Sequence, residues 1–296
     1  MSPVTERTVR PAAFAAGLVP RPRNAHPSPL SGHGPLWAND PTAVPGYRLT
    51  GRLGRGGMAD VFAARPAAGG PVVAVKILRV GGVVQSCRRE FELASAVDAD
   101  STAAPIEYGV AAVGAYLVTA YLPGFRSGAA EVNPATPIGQ LWQFAAAFAD
   151  VLAAVHSRGV VHCDVKPSNL LVHGSDVRLI DFGISRYAGE RGEDDGLVRC
   201  SRGWAAPEQL RNEPATPAVD VFAWACVLAL LSTGVHPFAS DDELEWILRL
   251  ESARPDLVGL PAGMEEIIRA ALAKDPNQRP DPGDLAAFCR RKGRRA

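Results

Sequence analysis

Apolar and polar residues alternate from Tyr47 to Leu53, the period of a half-buried strand. Asp60 to Ala64 and Val72 to Ile77 read as two further strands, and Gly69-Gly70 between them is a hairpin turn signal. Arg88 to Val97 is weakly helical, and Ala115 to Tyr121 is another strand. Residues 47 to 122 are therefore mostly β with one helix. From residue 138 the period changes. Leu141, Phe144, Ala145, Phe148, Val151, Leu152 and Val155 fall at helical spacing, and Gly159 follows as a terminator. The longest uninterrupted apolar run, Val221 to Leu231 after Asp220, is too short to span a bilayer and predicts a buried helix. Ser240 to Glu243 fits a capping box ahead of Leu244, Ile247 and Leu248, and Asp281-Pro282 marks another helix start. Residues 125 to 292 are thus mainly helical.

Residues 1–45 are different material. Proline recurs every few positions without a lasting apolar period, which predicts a flexible arm. Arg290, Arg291, Lys292, Arg294 and Arg295 close the chain, with residues 293–296 expected as a small solvated basic tail. Composition narrows the function classes. The 296 residues are 47% hydrophobic, which excludes a wholly disordered chain. Equal numbers of basic and acidic side chains, 31 of each, argue against a nucleic-acid partner. Five scattered cysteines form no CxxC pair, so neither a disulfide framework nor a zinc site is indicated. With no secretory pattern at the N-terminus and no integral membrane segment, the expected location is cytoplasmic.

Three stretches carry chemistry. Gly54-Arg55-Gly56-Gly57-Met58-Ala59-Asp60-Val61 lets the backbone approach phosphate oxygens, although Ala59 stands where a third glycine would complete GxGxxG. Strands on both sides disfavour a dinucleotide fold, and an ordinary hairpin turn is the competing reading. Lys76 lies in the apolar strand Ala74-Val75-Lys76; if buried it needs an anion, from Glu90, Glu92 or a nucleotide, and otherwise it is a solvated edge lysine. The most informative stretch is His162-Cys163-Asp164-Val165-Lys166-Pro167-Ser168-Asn169. Its acid can take a hydroxyl proton, its lysine can neutralise a migrating phosphoryl group, and its amide oxygen can ligate a hard cation. Asp181-Phe182-Gly183 follows as a second oxygen donor. Asp and Asn are also common turn residues, but the ordered set is not explained by turns alone.

With these motifs in order, the chain resembles a eukaryotic-like (Hanks-type) bacterial serine/threonine protein kinase over about residues 47 to 290. The resemblance implies a two-lobed α+β fold, with a small β-rich N-lobe (46–122) and a larger helical C-lobe (123–292). It implies ATP as substrate with Mg²⁺, or alternatively Mn²⁺, and γ-phosphoryl transfer to Ser or Thr of proteins, the kinase itself included. It implies nucleotide contacts from Leu53, Gly54, Arg55, Gly56, Gly57, Val61, Ala74 and Lys76, with Glu90 rather than Glu92 as the lysine's partner. Thr119 is similar to the gatekeeper, and Ala120, Tyr121 and Leu122 to the hinge, where adenine would bond backbone groups. Asp164 resembles the catalytic base and Lys166 the loop lysine; Asn169 and Asp181 resemble the metal ligands. Ala206-Pro207-Glu208 looks like the end of the activation segment, with Glu208 paired to Arg279. Asp220 is similar to the acid that braces the catalytic loop.

Departures bear on regulation. Cys163 replaces the usual arginine that answers an activation-segment phosphate, and the segment from Asp181 to Glu208 contains no threonine. Its hydroxyls are Ser185, Tyr187 and Ser201. Activity is therefore expected not to depend on phosphorylation there. Cys163 and Cys200 raise the idea of a redox switch, against buried inert thiols. Two rival functions stand beside the kinase: a pseudokinase scaffold that binds nucleotide without turnover, and a small-molecule phosphotransferase. The missing third glycine and the short stretch from Lys76 to Glu90 keep the first alive.

Overall fold

The computed structural model describes residues 34–79, 84–131, 133, 135–192 and 199–295. Alternation in the first half becomes a six-stranded antiparallel sheet of β1 (Ala43–Val44), β2 (Tyr47–Arg55), β3 (Ala59–Pro66), β4 (Val73–Leu78), β5 (Pro105–Ala111) and β6 (Gly114–Ala120), in the order β1-β2-β3-β4-β6-β5. The turn between β3 and β4 has both Gly69 and Gly70 at positive φ, 83° and 120°, which a side chain would oppose. The pleat sorts β4 cleanly. Val73, Val75 and Ile77 join Phe62, Tyr116 and Val118 in one apolar face, while Ala74 and Lys76 stand half-buried on the other. Helix α1 (Val84–Ala96) covers that second face, packing Cys87 against Ala115 and Leu117.

The first face is covered by the chain leading into the sheet. Leu36 and Val44 pack on it, Gly34 bridges to Arg52, and Asp40 ion-pairs with Arg52 while Trp37 lies over that guanidinium at 4.0 Å. Residues 34–45 are thus packed on the sheet, and the expected flexible arm is corrected for them. The sheet needs a lid on this face, and a proline-punctuated segment can supply one in extended form without helix. The rest of the expected arm lies outside the described residues.

The C-lobe is built around α2 (Ile138–Ser157), whose buried stripe includes Leu141, Phe148, Leu152 and Val155 and which ends at Gly159, φ 71°. Two small sheets pack against α2: β7 (Arg126–Ser127) beside β9 (Leu170–His173) and β10 (Asp176–Leu179), and β8 (Val160–Val161) beside β11 (Arg186–Tyr187). The short α3 (Pro207–Leu210) leads into α4 (Pro217–Thr233), buried nearly all round as its apolar run requires. Then come α5 (Glu243–Ser252), α6 (Met264–Ala271) and α7 (Pro282–Gly293). Asp281 caps α7 by accepting from the Gly283 N–H, with Pro282 in its first turn. Helix α4 is, as its run predicts, among the shorter apolar helices; among the described residues α2 is the one helix long and apolar enough, by length and composition, to cross a membrane, and half of that stretch is buried inside the protein. One expectation is corrected in this lobe. The cap of α5 is Asp242, which accepts from the Glu245 N–H, and Ser240 instead bonds the Glu245 side chain. The buried face of α5 is Trp246 and Leu250, while Leu244 and Leu248 are exposed. Arg290, within α7, pairs with Asp150 at 2.6 Å. Ala296 lies outside the described residues.

Candidate active site

Lys76 sits on β4, flanked by β3 and β6, so it is not an edge lysine. Its Nζ donates to both oxygens of Glu90, at 2.8 and 2.7 Å, and to Asp181 Oδ1 at 2.7 Å. Glu92 points elsewhere and pairs with Arg88, as the turn of about 100° per helical residue demands. The short stretch before α1 therefore does not prevent the pair. Burial works against the ammonium, but the carboxylates of Asp181 and Glu90 outweigh it and hold Lys76 well above the ordinary lysine range. Burial likewise raises Asp181, and Lys76 reverses the sign, bringing that carboxyl down to about 2. Gly183 is what lets the backbone pass this cluster. A Cβ there would sit 3.1 Å from Asp181 Oδ1 and 3.4 Å from both Glu90 and Lys76.

The loop that carries Asp164 is braced by a buried acid. Asp220, at the first turn of α4 and fully buried, accepts the backbone N–H groups of His162 (2.7 Å) and Cys163 (2.8 Å) and a hydrogen bond from His156 (2.8 Å). Burial would raise this acid, but His156 and His162 keep it below the usual carboxylate range. Cys163 adopts φ 64° and Asp181 φ 69°, left-handed conformations rare outside glycine. The His162 ring stands edge-on to Phe182, its Nε2 donates to the Ile180 carbonyl at 3.1 Å, and its Nδ1 accepts the Asp164 N–H at 3.2 Å. Burial favours the neutral imidazole that this pattern needs. The Ile180 N–H in turn donates to the Asn169 carbonyl at 2.9 Å. These bonds bring Asp164, Asn169 and Asp181 to one place.

Within it, Asp164 Oδ2 accepts from Lys166 (2.7 Å) and from Asn169 Nδ2 (3.0 Å). Asp164 Oδ1 is buried and has no hydrogen-bond partner, a costly condition for a carboxylate oxygen. Lys166 also donates to Ser201 Oγ at 2.6 Å, joining the activation segment to the loop. Asn169 spends its amide nitrogen on Asp164, so its oxygen is the end left for a cation. Asp181 accepts from Lys76 and from the Gly183 N–H through the same oxygen, Oδ1. An amide oxygen and a carboxylate oxygen suit a hard divalent ion that keeps phosphate and water in its other positions. Among the described residues no cluster of three or more His, Cys, Asp or Glu side chains offers an all-protein cage.

The glycine-rich stretch forms the hairpin between β2 and β3. Gly54 pairs with Val61 and Arg55 with Asp60, leaving Gly56 to Met58 as the tip, with the Gly56 N–H bonded to the Ala59 carbonyl. Ala59 is buried in β3 opposite Leu78, off the tip, so the absent third glycine does not disturb it. A Cβ at Gly54 or Gly57 would meet nothing within the protein. Leu53, Val61 and Ala74 are half-buried, and the ladder sets Val61 opposite Lys76 and Ala74 opposite Thr119. Ala120 ends β6, and Tyr121 and Leu122 continue into the connection between lobes. The Ala120 N–H already bonds the Ala104 carbonyl at 2.8 Å, which removes it from the adenine contacts expected there.

Sequence reasoning missed several supports. Gln209 accepts the Ala206 N–H and donates to the Cys163 carbonyl, at 3.0 and 2.9 Å, tying α3 to the catalytic loop. A glutamine three residues into a helix start is a capping signal that was legible. Arg52 and Arg79 both grip Asp60 below the glycine loop, which nothing local announces. The Glu208–Arg279 pair, by contrast, was implied by the resemblance, and it is buried and bidentate, at 2.5 and 2.9 Å. Both thiols near the site are held protonated: burial pushes Cys163 far up, and Cys200 up to about 11. That removes the thiolate a redox switch requires.

The family description "Protein kinase domain" matches residues 47–287. The protein named "Probable serine/threonine-protein kinase PkwA" of Thermomonospora curvata is 36% identical, covering 86% of this chain and 35% of that protein. Serine/threonine-protein kinase AfsK of Streptomyces coelicolor is 34% identical over 85% of this chain and 32% of its own length. Serine/threonine-protein kinase PknD of Mycobacterium tuberculosis is 31% identical over 81% and 38%. The chain spans about a third of the length of the curated relatives it matches. Nothing in the site or the comparisons favours a scaffold without turnover. The chain belongs to the protein kinase family and carries a serine/threonine-protein kinase domain of the bacterial kind.

Proposed function

We propose that the protein transfers the γ-phosphoryl group of ATP to serine or threonine hydroxyls of proteins, itself included, through the residues gathered around Asp164. One observation carries the reading: Asp164 has one oxygen fastened by Lys166 and Asn169 and the other buried and unbonded. The free oxygen accepts the substrate's hydroxyl proton as the substrate oxygen bonds to the γ-phosphorus. The bond to the β–γ bridging oxygen breaks, and ADP leaves with the electron pair. Lys166 offsets the charge on the moving phosphoryl group. Lys76, held by Glu90, faces the α- and β-phosphates, and the open backbone over Gly54 and Gly57 covers them. Asn169 and Asp181 would hold the divalent ion, Mg²⁺ by their all-oxygen chemistry with Mn²⁺ as a substitute; when bound it neutralises phosphate charge. The rate comes from placement and electrostatics, not from a covalent intermediate.

Net charge of zero supports proteins rather than nucleic acid as the partner, and five free cysteines support a cytoplasmic setting. Incubation with labelled Mg-ATP and a generic protein substrate tests the assignment. Wild type incorporates label; Asp164→Asn and Lys76→Met, with unchanged circular dichroism, lose at least about a hundredfold. Label retained by both variants refutes the roles of Asp164 and Lys76.

A further inference from the structure

We propose that Glu190 is a positioning residue that holds α1 in its active setting through Arg89, in place of a phosphate on the activation segment. The inference rests on the kinase reading. Arg89 and Glu90 are neighbours on α1, so their side chains leave the helix about 100° apart. Glu90 turns inward to Lys76, and Arg89 reaches across to the carboxylate of Glu190. A tether on Arg89 therefore fixes the rotation that keeps Glu90 on Lys76, the pairing on which kinase activity turns.

The far end of the tether is firm. Glu190 Oε2 accepts the Tyr187 N–H at 3.0 Å, the Glu190 N–H donates to the Tyr187 carbonyl at 3.0 Å, and the Glu190 carbonyl accepts the Ala215 N–H at 2.8 Å. Tyr187 belongs to β11, paired residue for residue with Val160 and Val161 of β8, and β8 runs directly into His162 and Asp164. The carboxylate thus stands on the frame of the catalytic loop and grips the helix of the other lobe.

The segment is also poorly built to use a phosphate. It has no threonine between Asp181 and Glu208. Ser185 is buried and bonds the His162 carbonyl at 2.9 Å, and Ser201 is taken by Lys166. By the resemblance, Cys163 stands where a phosphate-answering arginine is usual, and this thiol is buried and carries no cation. A fixed carboxylate beside Arg89 supplies the negative charge that phosphorylation otherwise adds.

The pair is about half exposed on both sides, so its effect is graded and salt-sensitive. The test uses the full chain, dephosphorylated and checked by mass spectrometry, with Mg-ATP and a generic peptide substrate. Dephosphorylated wild type keeps its activity. Glu190→Gln and Arg89→Gln each lower kcat/KM about three- to fivefold at low salt, as a pair of this exposure allows, with unchanged thermal midpoints. The double variant loses no more than either single one, and Arg89→Glu combined with Glu190→Arg recovers most of the loss. At about 0.5 M salt the differences shrink below about twofold. Single variants equal to wild type, additive losses, no rescue by the swapped pair, or wild type silenced by dephosphorylation overturn the proposal. Wild type inactive in every phosphorylation state instead overturns the kinase reading beneath it.

Discussion

His236 shows how one side chain sets a pH dependence. Its Nδ1 accepts the Phe238 N–H at 3.1 Å and its ring stands edge-on to Trp204. A proton on Nδ1 would break that bond, and burial brings the group from 6.5 down to about 4. The unfolded chain therefore takes up a proton at higher pH than the folded one. This contribution to stability is complete above pH 6.5 and is lost as pH falls toward about 4. Between about pH 7.5 and pH 5 it amounts to about 1–2 kcal/mol, discounted for partial exposure. Urea midpoints at the two pH values should fall further in wild type than in His236→Gln; equal falls would refute the assignment. Residue-level reading of the sequence went furthest where a motif dictates its own geometry. Helix geometry lets only one of Glu90 and Glu92 face Lys76, and the resemblance of Arg88-Arg89-Glu90 to the bacterial kinase register implied which. Gln209, His156 and Glu190 were not chosen, because their partners lie 46, 64 and 101 residues away and only the folded chain supplies them.

Among the elements, periodicity located strands and helices well and their caps less well. Helix α5 illustrates why. The stretch Ser240-Asp241-Asp242-Glu243 offers three side chains able to cap, and the backbone decides among them. Asp242 takes the Glu245 N–H at 2.8 Å, with φ −95° and ψ 136°. Asp242→Ala should cost about 1 kcal/mol in chemical denaturation, and Ser240→Ala less, since its hydroxyl bonds an exposed side chain. The reverse order would restore Ser240 as the cap. Strand β5 escaped periodic analysis because it begins with Pro105 and lies at the sheet edge, where Ile106 and Val110 face solvent. The apolar faces of α5 were misjudged for a related reason. Leu244 and Leu248 fit a helical stripe, but Trp246 and Leu250 are the residues the C-lobe offers room to bury.

At the scale of the molecule, the two-lobed arrangement was legible because β and helical periods occupy separate halves of the chain. The leader was not, since proline-rich composition speaks against helix but not against an extended strap over a sheet. Asp40, Arg52, Asp60 and Arg79 form a continuous run of ion pairs from that strap to the glycine loop. A chain starting at residue 46 should therefore unfold at a lower temperature than one starting at residue 34. The loss is about 2 kcal/mol or more, from the covers Leu36 and Val44 and from an Arg52 stripped of Asp40. Equal midpoints would mean the strap is dispensable.

Helix α4 never meets water along most of its length, yet its first turn carries the carboxylate that orients the peptide planes of His162 and Cys163. Close-packed interiors pass small displacements along rigid elements instead of absorbing them. The hidden interior of α4 and the peptide planes leading to Asp164 are thus joined through one buried carboxylate.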